Sequence, residues 1–432
     1  MRNSLRNNLL SQLLLAISQV AFPLVIYPVV TRALKPAGLG EVNFADSIVQ
    51  TALIIGSLGI PLYGIREIAV HRNSPQSKKT LKELFLLQLA AIIPSLMIIW
   101  ITGFTSGVSS LLLWTGSIAL VSSSLSCEWW FQGNEKFTFI ALRTFLVRAV
   151  AAVLIYLMVT KPGDQWIYYS ILTGSVVVTM LINLLKIFPR VGSFQSDLRP
   201  FHHLRSMNWV YACYVAASLF MVMDSLFLGW LTGDDKVGLY SFGYRLVRMA
   251  SMILPALGVV FIPAIAFHFS KDNSSEVKAQ SETSQKIVFL FGIPVSLAFF
   301  ILAPEIVGLL AGKNFSPSIT VIRILSPLPL LISLSHLTGT QLLVSIKKER
   351  IYFYFLCAGL TLNAMFNMVL IPTLQEKGAA ISNVSTETFV AVSTFLFLAK
   401  TGFVRIQFKY FLSCLLPSLI LIPLVILIRL SG

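Results

Sequence analysis

The stretch WLTGDDKVGLYSFGYRL, residues 230–246, follows the layout of RALKPAGLGEVNFADSI, residues 32–48. Each leaves a long apolar segment through a polar turn, reaches a glycine (Gly40 or Gly238), and then places a phenylalanine (Phe44 or Phe242) at the same offset. One copy follows the first apolar segment of the chain and the other follows the seventh, which is where a duplicated six-helix bundle puts them.

The segments around these copies set the fold class. Apolar runs of 17 residues or more, the length a hydrocarbon layer of about 30 Å requires, occur thirteen times. Their limits are 8–31, 41–65, 83–103, 109–131, 138–160, 166–188, 208–230, 237–267, 287–311, 320–345, 352–372, 379–399 and 410–429. The chain of 432 residues is 56% hydrophobic and 12% charged, a balance no water-soluble globule of this length needs. The runs are continuous and not alternating, so helices are expected and a barrel of short strands is excluded. The expected fold class is an all-α polytopic membrane protein of two six-helix lobes with an additional C-terminal transmembrane helix.

No connection between runs exceeds roughly twenty residues, which leaves no room for a soluble catalytic domain. After the sixth run, PRVGSFQSDLRPFHHLRS at 189–206 breaks the pattern with prolines and polar residues and reads as a linker. The expected organisation is an N-terminal lobe over 1–188, a cytoplasmic linker over 189–207, a C-terminal lobe over 208–400, and the extra helix in 401–432. Prolines recur inside the spans (Pro23, Pro28, Pro61, Pro94, Pro255, Pro263, Pro294, Pro304, Pro327, Pro329) and suit helices that bend around a cavity.

The formal net charge of +15 needs no nucleic-acid partner, because the basic residues follow topology. With the amino terminus on the cytoplasmic side, Arg2, Arg6, Arg66, Lys78, Lys79, Lys186, Arg199, Lys278, Lys347, Lys348, Arg405 and their neighbours fall inside; Arg32, Lys35, Lys161, Lys236, Lys313, Lys377 and Arg429 fall outside. A bias of about three to one in short loops orients the chain with its amino terminus cytoplasmic. The same loops suit anionic membrane lipids. The first segment is too long for a secretory h-region and has no convincing small-x-small cleavage site, so it reads as a retained helix.

Enzyme signals are poor. Cys127, Cys213, Cys357 and Cys414 are scattered and read as packing residues. His71, His202, His203, His268 and His336 form no His-x-x-x-His pair, and no Gly-rich phosphate loop follows a strand. Neither a metal nor a cofactor is expected.

Five arginines lie inside the spans: Arg143, Arg148, Arg245, Arg248 and Arg323. A lipid-facing arginine at mid-membrane costs about 2.5 to 3.5 kcal/mol on the lenient insertion scale, so these side chains are expected to face protein, water or an anionic ligand. Arg245 and Arg248, three apart, share a helix face about 12 and 17 Å below its outer end. Asp224 lies at a depth from which it could pair with Arg245, an even alternative to a free basic patch. Arg148 is near mid-depth, Arg143 is close enough to the cytoplasmic edge to pair with Glu128, and Arg323 is placed to pair with Glu305. Asp46 and Glu387, well inside their spans, join Asp224 as candidates for ion coupling or ion pairing.

Five segments carry a further pattern in order and at consistent spacing: YPVVTRALKPAGLGEVNFADSIV (27–49), LGIPLYGIREIA (58–69), VGLYSFGYRL (237–246), LLAGKNFSPSITVIRILSPL (309–328) and GAAISNVSTE (378–387). Over about the first 400 residues the chain resembles the bacterial polysaccharide flippases, the Wzx-like O-antigen transporters. Their superfamily also holds the multidrug and toxic-compound extruders and the lipid II flippases. The resemblance implies two six-helix lobes around a central cavity that opens alternately to each side, in the bacterial inner membrane. It implies as cargo an oligosaccharide repeat unit on undecaprenyl pyrophosphate, moved from the inner to the outer leaflet for lipopolysaccharide and other polysaccharide biosynthesis. A polysaccharide polymerase and a chain-length regulator are then possible partners. Arg248, Arg245, Arg148 and Arg143 become candidate headgroup-binding residues, Arg245 and Arg248 matching a basic position in the eighth helix. The first helix lacks the cavity arginines of lipid II flippases, with only Arg32 at its outer end. Two alternatives remain: an extruder of organic cations with the same fold, or a membrane enzyme of polysaccharide assembly such as a polymerase or glycosyltransferase.

Overall fold

The computed structural model describes every residue except Met1, 72–73, 192–197, 207–208, 259, 406–407, 421–422 and 424–432. The described residues form helices and connecting turns, with no strand among them. The chain divides into two compact units, Met1–Val222 and Met223–Gly432, and the boundary falls inside a helix.

The first unit contains α1 (Arg2–Ser57), α2 (Ile60–Val70), α3 (Pro75–Thr105), α4 (Ser110–Leu125), α5 (Glu128–Gly133), α6 (Phe137–Met158), α7 (Gln165–Val191), the short α8 (His202–Ser206) and the start of α9 (Trp209–Leu231). α1 is two helices joined at Lys35, whose φ of 59° lies outside the helical region. Pro36 supplies the reason, since a proline disfavours the α conformation at the residue before it. The expected first and second spans therefore meet at this joint. A second break at Leu58 and Gly59, both with positive φ, bends Ala21–Ser57 from Ile60–Val70 by 43°. Pro61 lies in the first turn of α2, where its missing N–H costs nothing. A buried cluster including Tyr63, Leu84, Trp129, Phe131 and Ile140 ties α2, α3, α5 and α6 together. Gly64 permits that closeness, because a Cβ there would lie 2.5 Å from the Trp129 ring.

The second unit continues with α10 (Asp234–Ser251), α11 (Ile253–Gly258), α12 (Phe261–Ser270), α13 (Ser274–Ile301), α14 (Ala303–Leu310), α15 (Ser318–Leu325), α16 (Leu328–His336), a π-helical stretch (Leu337–Leu343), α17 (Glu349–Leu374), α18 (Glu376–Lys400) and α19 (Phe408–Ser418). The continuous span expected over 237–267 is instead broken into α10, α11 and α12. Pro255 cannot donate to the carbonyl of Ser251 and its ring crowds that carbonyl, so α10 ends there. Pro329 acts in the same way on Leu325, the last residue of α15. α17 and α18 meet at Gln375 (φ 52°) and pack closely. Gly378 allows this, since a Cβ there would come within 2.4 Å of the Leu370 carbonyl oxygen.

Among the described residues nine helices are long and apolar enough to cross a membrane, or ten if the bent pair in the first unit is one span. Exposed apolar side chains on them, such as Ile93, Met97 and Ile101 at four-residue spacing on α3, form bands suited to lipid. The protein is a multi-pass membrane protein. The expected thirteenth span, 410–429, begins in α19, but most of its second half lies outside the described residues; so do residues 192–197 and 207 of the expected linker.

Candidate functional site

A dense polar constellation among the described residues belongs to the second unit. It is built from helical repeats of four residues: Tyr240, Tyr244 and Arg248 on α10, Asn363 and Asn367 on α17, and Asn383 and Glu387 on α18. Four-residue spacing places side chains on one face, so each helix presents a polar stripe among apolar neighbours. Asp224 on α9, 2% exposed, is the common acceptor. Its Oδ1 accepts from Asn363 Nδ2 (2.9 Å) and Asn367 Nδ2 (2.8 Å), and its Oδ2 from Tyr240 Oη (2.9 Å) and Asn383 Nδ2 (2.5 Å).

Two donors on each oxygen use the acceptor capacity of a carboxylate. All four donors are neutral, so the cage solvates the carboxylate without cancelling its charge. The ion pair between Asp224 and Arg245, one of the two alternatives, is not formed: the partners of both carboxylate oxygens are neutral. Arg245 lies half-buried on α10. The asparagines are cross-braced: Asn367 Nδ2 also donates to Asn363 Oδ1 (3.0 Å), and Asn363 Nδ2 lies 3.3 Å from Ser382 Oγ.

Two turns further along α10, past Tyr244 stacked on Tyr240 at 5.5 Å, comes a charged rung. Arg248 Nη1 lies 3.7 Å from Glu387 Oε1, an ion pair longer than a hydrogen bond. Arg248 Nε is buried and has no hydrogen-bond partner among the described residues. A guanidinium carries five N–H donors in a planar fork, so this one retains donors that Glu387 does not use.

The remaining candidates lie on α1, α6 and α15. Arg143, 5% exposed, gives Nη2 to Glu128 Oε2 (2.7 Å) and to Thr144 Oγ1 (3.2 Å), and Nη1 to Asn183 Oδ1. Asn183 in turn donates to the Ser126 carbonyl at 2.7 Å. Both terminal nitrogens of Arg143 thus serve the packing of α5, α6 and α7, and the anticipated Glu128 pair is present. Arg148 on α6 and Asp46 on α1 are half-buried, and Asp46 accepts from Gln50 at 3.5 Å. Arg323 is exposed on α15 with its guanidinium 5.9 Å from the Phe300 ring; the expected pair with Glu305 is not formed. Among the described residues no group of three or more His, Cys, Asp or Glu comes together as a metal site.

Sequence reading missed Tyr240, Asn363, Asn367 and Asn383. The signal was present in two asparagines four residues apart in the otherwise apolar LTLNAMFNMVLIP, since amides carried at that spacing into a span need partners.

Residues 213–369 match the MatE family model. Two relatives, each named "Putative O-antigen transporter", come from Escherichia coli strain K12 and Shigella dysenteriae. The first is 24% identical over 91% of this chain and 97% of its own length, and the second 21% identical over 90% and 98%. Among solved structures, a lipid II flippase, MurJ, in its inward closed conformation superimposes with a TM-score of 0.72 over 97% of this chain and 92% of its own, at 14% identity. That likeness shows the shared fold. The model of the family described as polysaccharide biosynthesis protein matches residues 5–268, more than half of the sequence, and the chain belongs to that family.

Proposed function

We propose that this protein is a flippase for a lipid-linked glycan: an oligosaccharide repeat unit on undecaprenyl pyrophosphate, moved from the inner to the outer leaflet of the bacterial inner membrane by alternating access. Family membership, the name carried by the full-length relatives and the fold shared with a lipid II flippase support the cargo class. One observation carries the residue assignment: Arg248, on α10 beside the asparagine cage, is held by a single carboxylate at 3.7 Å and keeps unused donors. Charge-assisted hydrogen bonds from such a fork suit a pyrophosphate, and arginine supplies them in pairs.

In this reading Arg248 leads headgroup recognition and Arg245, on the same helix, adds positive potential; Arg148 is a further candidate on α6 of the first unit. Glu387 keeps Arg248 extended and yields when the doubly charged headgroup arrives. Arg143 takes a structural role. Asp224, solvated by neutral groups, is the ion-responsive element, because a proton or a cation arriving there changes the charge of the α9–α10–α17–α18 bundle. Differential affinity for that ion in the two conformations gives transport its direction. Asp46 is a second ionisable position on α1. The amino terminus is on the cytoplasmic side, no covalent chemistry is performed, and a polymerase and chain-length regulator act on the delivered repeat unit.

The test is complementation of a flippase-null strain with Arg248→Ala and Arg248→Lys. The alanine variant should lose surface polysaccharide and accumulate lipid-linked repeat unit on the inner face. The lysine variant, with charge but no fork, should recover part of the transport. Full transport by both would remove Arg248 from the mechanism.

A further inference from the structure

We infer that His203 is the pin of a buried clamp that makes the end of the linker and the start of α9 part of the first unit. The observation is independent of the transport reading above. His203 lies on the short α8, at the end of a stretch broken by prolines and polar residues, yet it is only 8% exposed. Its Nε2 is 2.9 Å from Glu83 Oε2 on α3, and its Nδ1 is 2.9 Å from Tyr63 Oη on α2. Glu83, 4% exposed, uses its other oxygen to accept the backbone N–H of Arg199 at 2.9 Å.

Nε2 hydrogen-bonds the Glu83 carboxyl, and Nδ1 shares its bond with the Tyr63 hydroxyl, a group that can donate or accept. Every polar atom of the imidazole is used, as a buried ring requires. The Tyr63 ring also makes edge contacts with His203 (5.4 Å between centroids) and with Tyr211 in the first turns of α9 (5.6 Å). Gly59, at φ 73°, lets the backbone come close, since a Cβ there would be 3.0 Å from Tyr211 Cβ.

The clamp thus holds three points of one segment: the Arg199 amide, the His203 ring and the Tyr211 ring. Its sockets, Tyr63 and Glu83, belong to helices locked in the apolar core of the first unit. A segment so fastened is no free tether. In any rearrangement of the protein, Arg199, His203 and Tyr211 travel with α2 and α3.

The experiment uses the full-length protein in detergent and in nanodiscs. Hydrogen exchange of peptides covering 198–206 is read together with thiol labelling of Cys213, buried on α9, and of Cys127, buried between α4 and α5. In His203→Ala, exchange over 198–206 and labelling of Cys213 should each accelerate on the order of tenfold or more, while Cys127 keeps its rate, because local opening is separable from global unfolding. Tyr63→Phe, which removes the hydroxyl facing Nδ1 and keeps the ring, should give a smaller acceleration at the same places. Unchanged exchange in both variants would overturn the inference. So would an equal rise at Cys127, which would make His203 a general stability residue.

Discussion

Replacing Asp224 separates the geometric work of its carboxylate from the work of its charge. In Asp224→Ala, Tyr240 Oη and Asn383 Nδ2 lose the acceptor to which they donate. Asn363 and Asn367 keep alternatives in Ser382 Oγ at 3.3 Å and Asn363 Oδ1 at 3.0 Å. Two orphaned buried donors at about 1 to 3 kcal/mol each amount to about 2 to 6 kcal/mol. In a unit of this size each kcal/mol lowers the melting temperature by about 2 to 4 °C, so the variant should melt about 4 to 24 °C below the parent. Asp224→Asn is different. Its amide oxygen still serves Asn363 and Asn367, Tyr240 can turn its hydroxyl to accept, and Asn383 can turn its amide, which holds the cost near or below about 1 kcal/mol. The assay is a temperature series on detergent-solubilised protein read by size-exclusion chromatography, paired with surface polysaccharide in a complemented null strain. The asparagine variant is expected to be folded and inactive in transport. Parental melting of Asp224→Ala would refute the hydrogen-bond reasoning, and full transport by Asp224→Asn would refute the ion-responsive role.

Three other perturbations test the framework. Arg143→Ala leaves Glu128 and Asn183 without their shared donor and should cost about 3 kcal/mol, the low end for breaking a largely buried pair because Glu128 is partly exposed. Adding Glu128→Ala should recover part of that loss in the same temperature series. Gly378→Ala drives a methyl toward the Leu370 carbonyl and should cost about 1 to 3 kcal/mol, whereas Gly174→Ala, which meets nothing within 4 Å, should be silent. In the turn before α7, the backbone N–H groups of Thr160 and Lys161, each 3.0 Å from Asp164 Oδ2, hold that carboxyl below its ordinary range, the Thr160 bond contributing most. A lowered value means the contribution is complete above the unfolded-state value and fades as pH falls through the folded one. Hydrogen exchange at Thr160 and Lys161 should therefore quicken in Asp164→Ala at neutral pH and in the parent only under strong acid.

The helical, polytopic class and the rough limits of most spans were legible in the amino-acid order, because a hydrocarbon layer demands apolar length and that is a local, one-dimensional property. So were the joint at Lys35, announced by Pro36, and the Arg143–Glu128 pair, whose members are 15 residues apart. The breaks in the 237–267 stretch were foreshadowed by Pro255 and Pro263, although whether a proline bends or ends a helix depends on what packs around the freed carbonyl. Polar partnership at long range was not legible. Asp224 could have met Arg245 across one tight turn; instead it is enclosed by asparagines 139, 143 and 159 residues away, and His203 finds Glu83 at a separation of 120. Apolar length decides which segments enter the membrane. Only the rotation and packing of helices distant in sequence decide which polar faces turn toward each other, and so whether a buried charge meets an opposite charge or a shell of neutral dipoles.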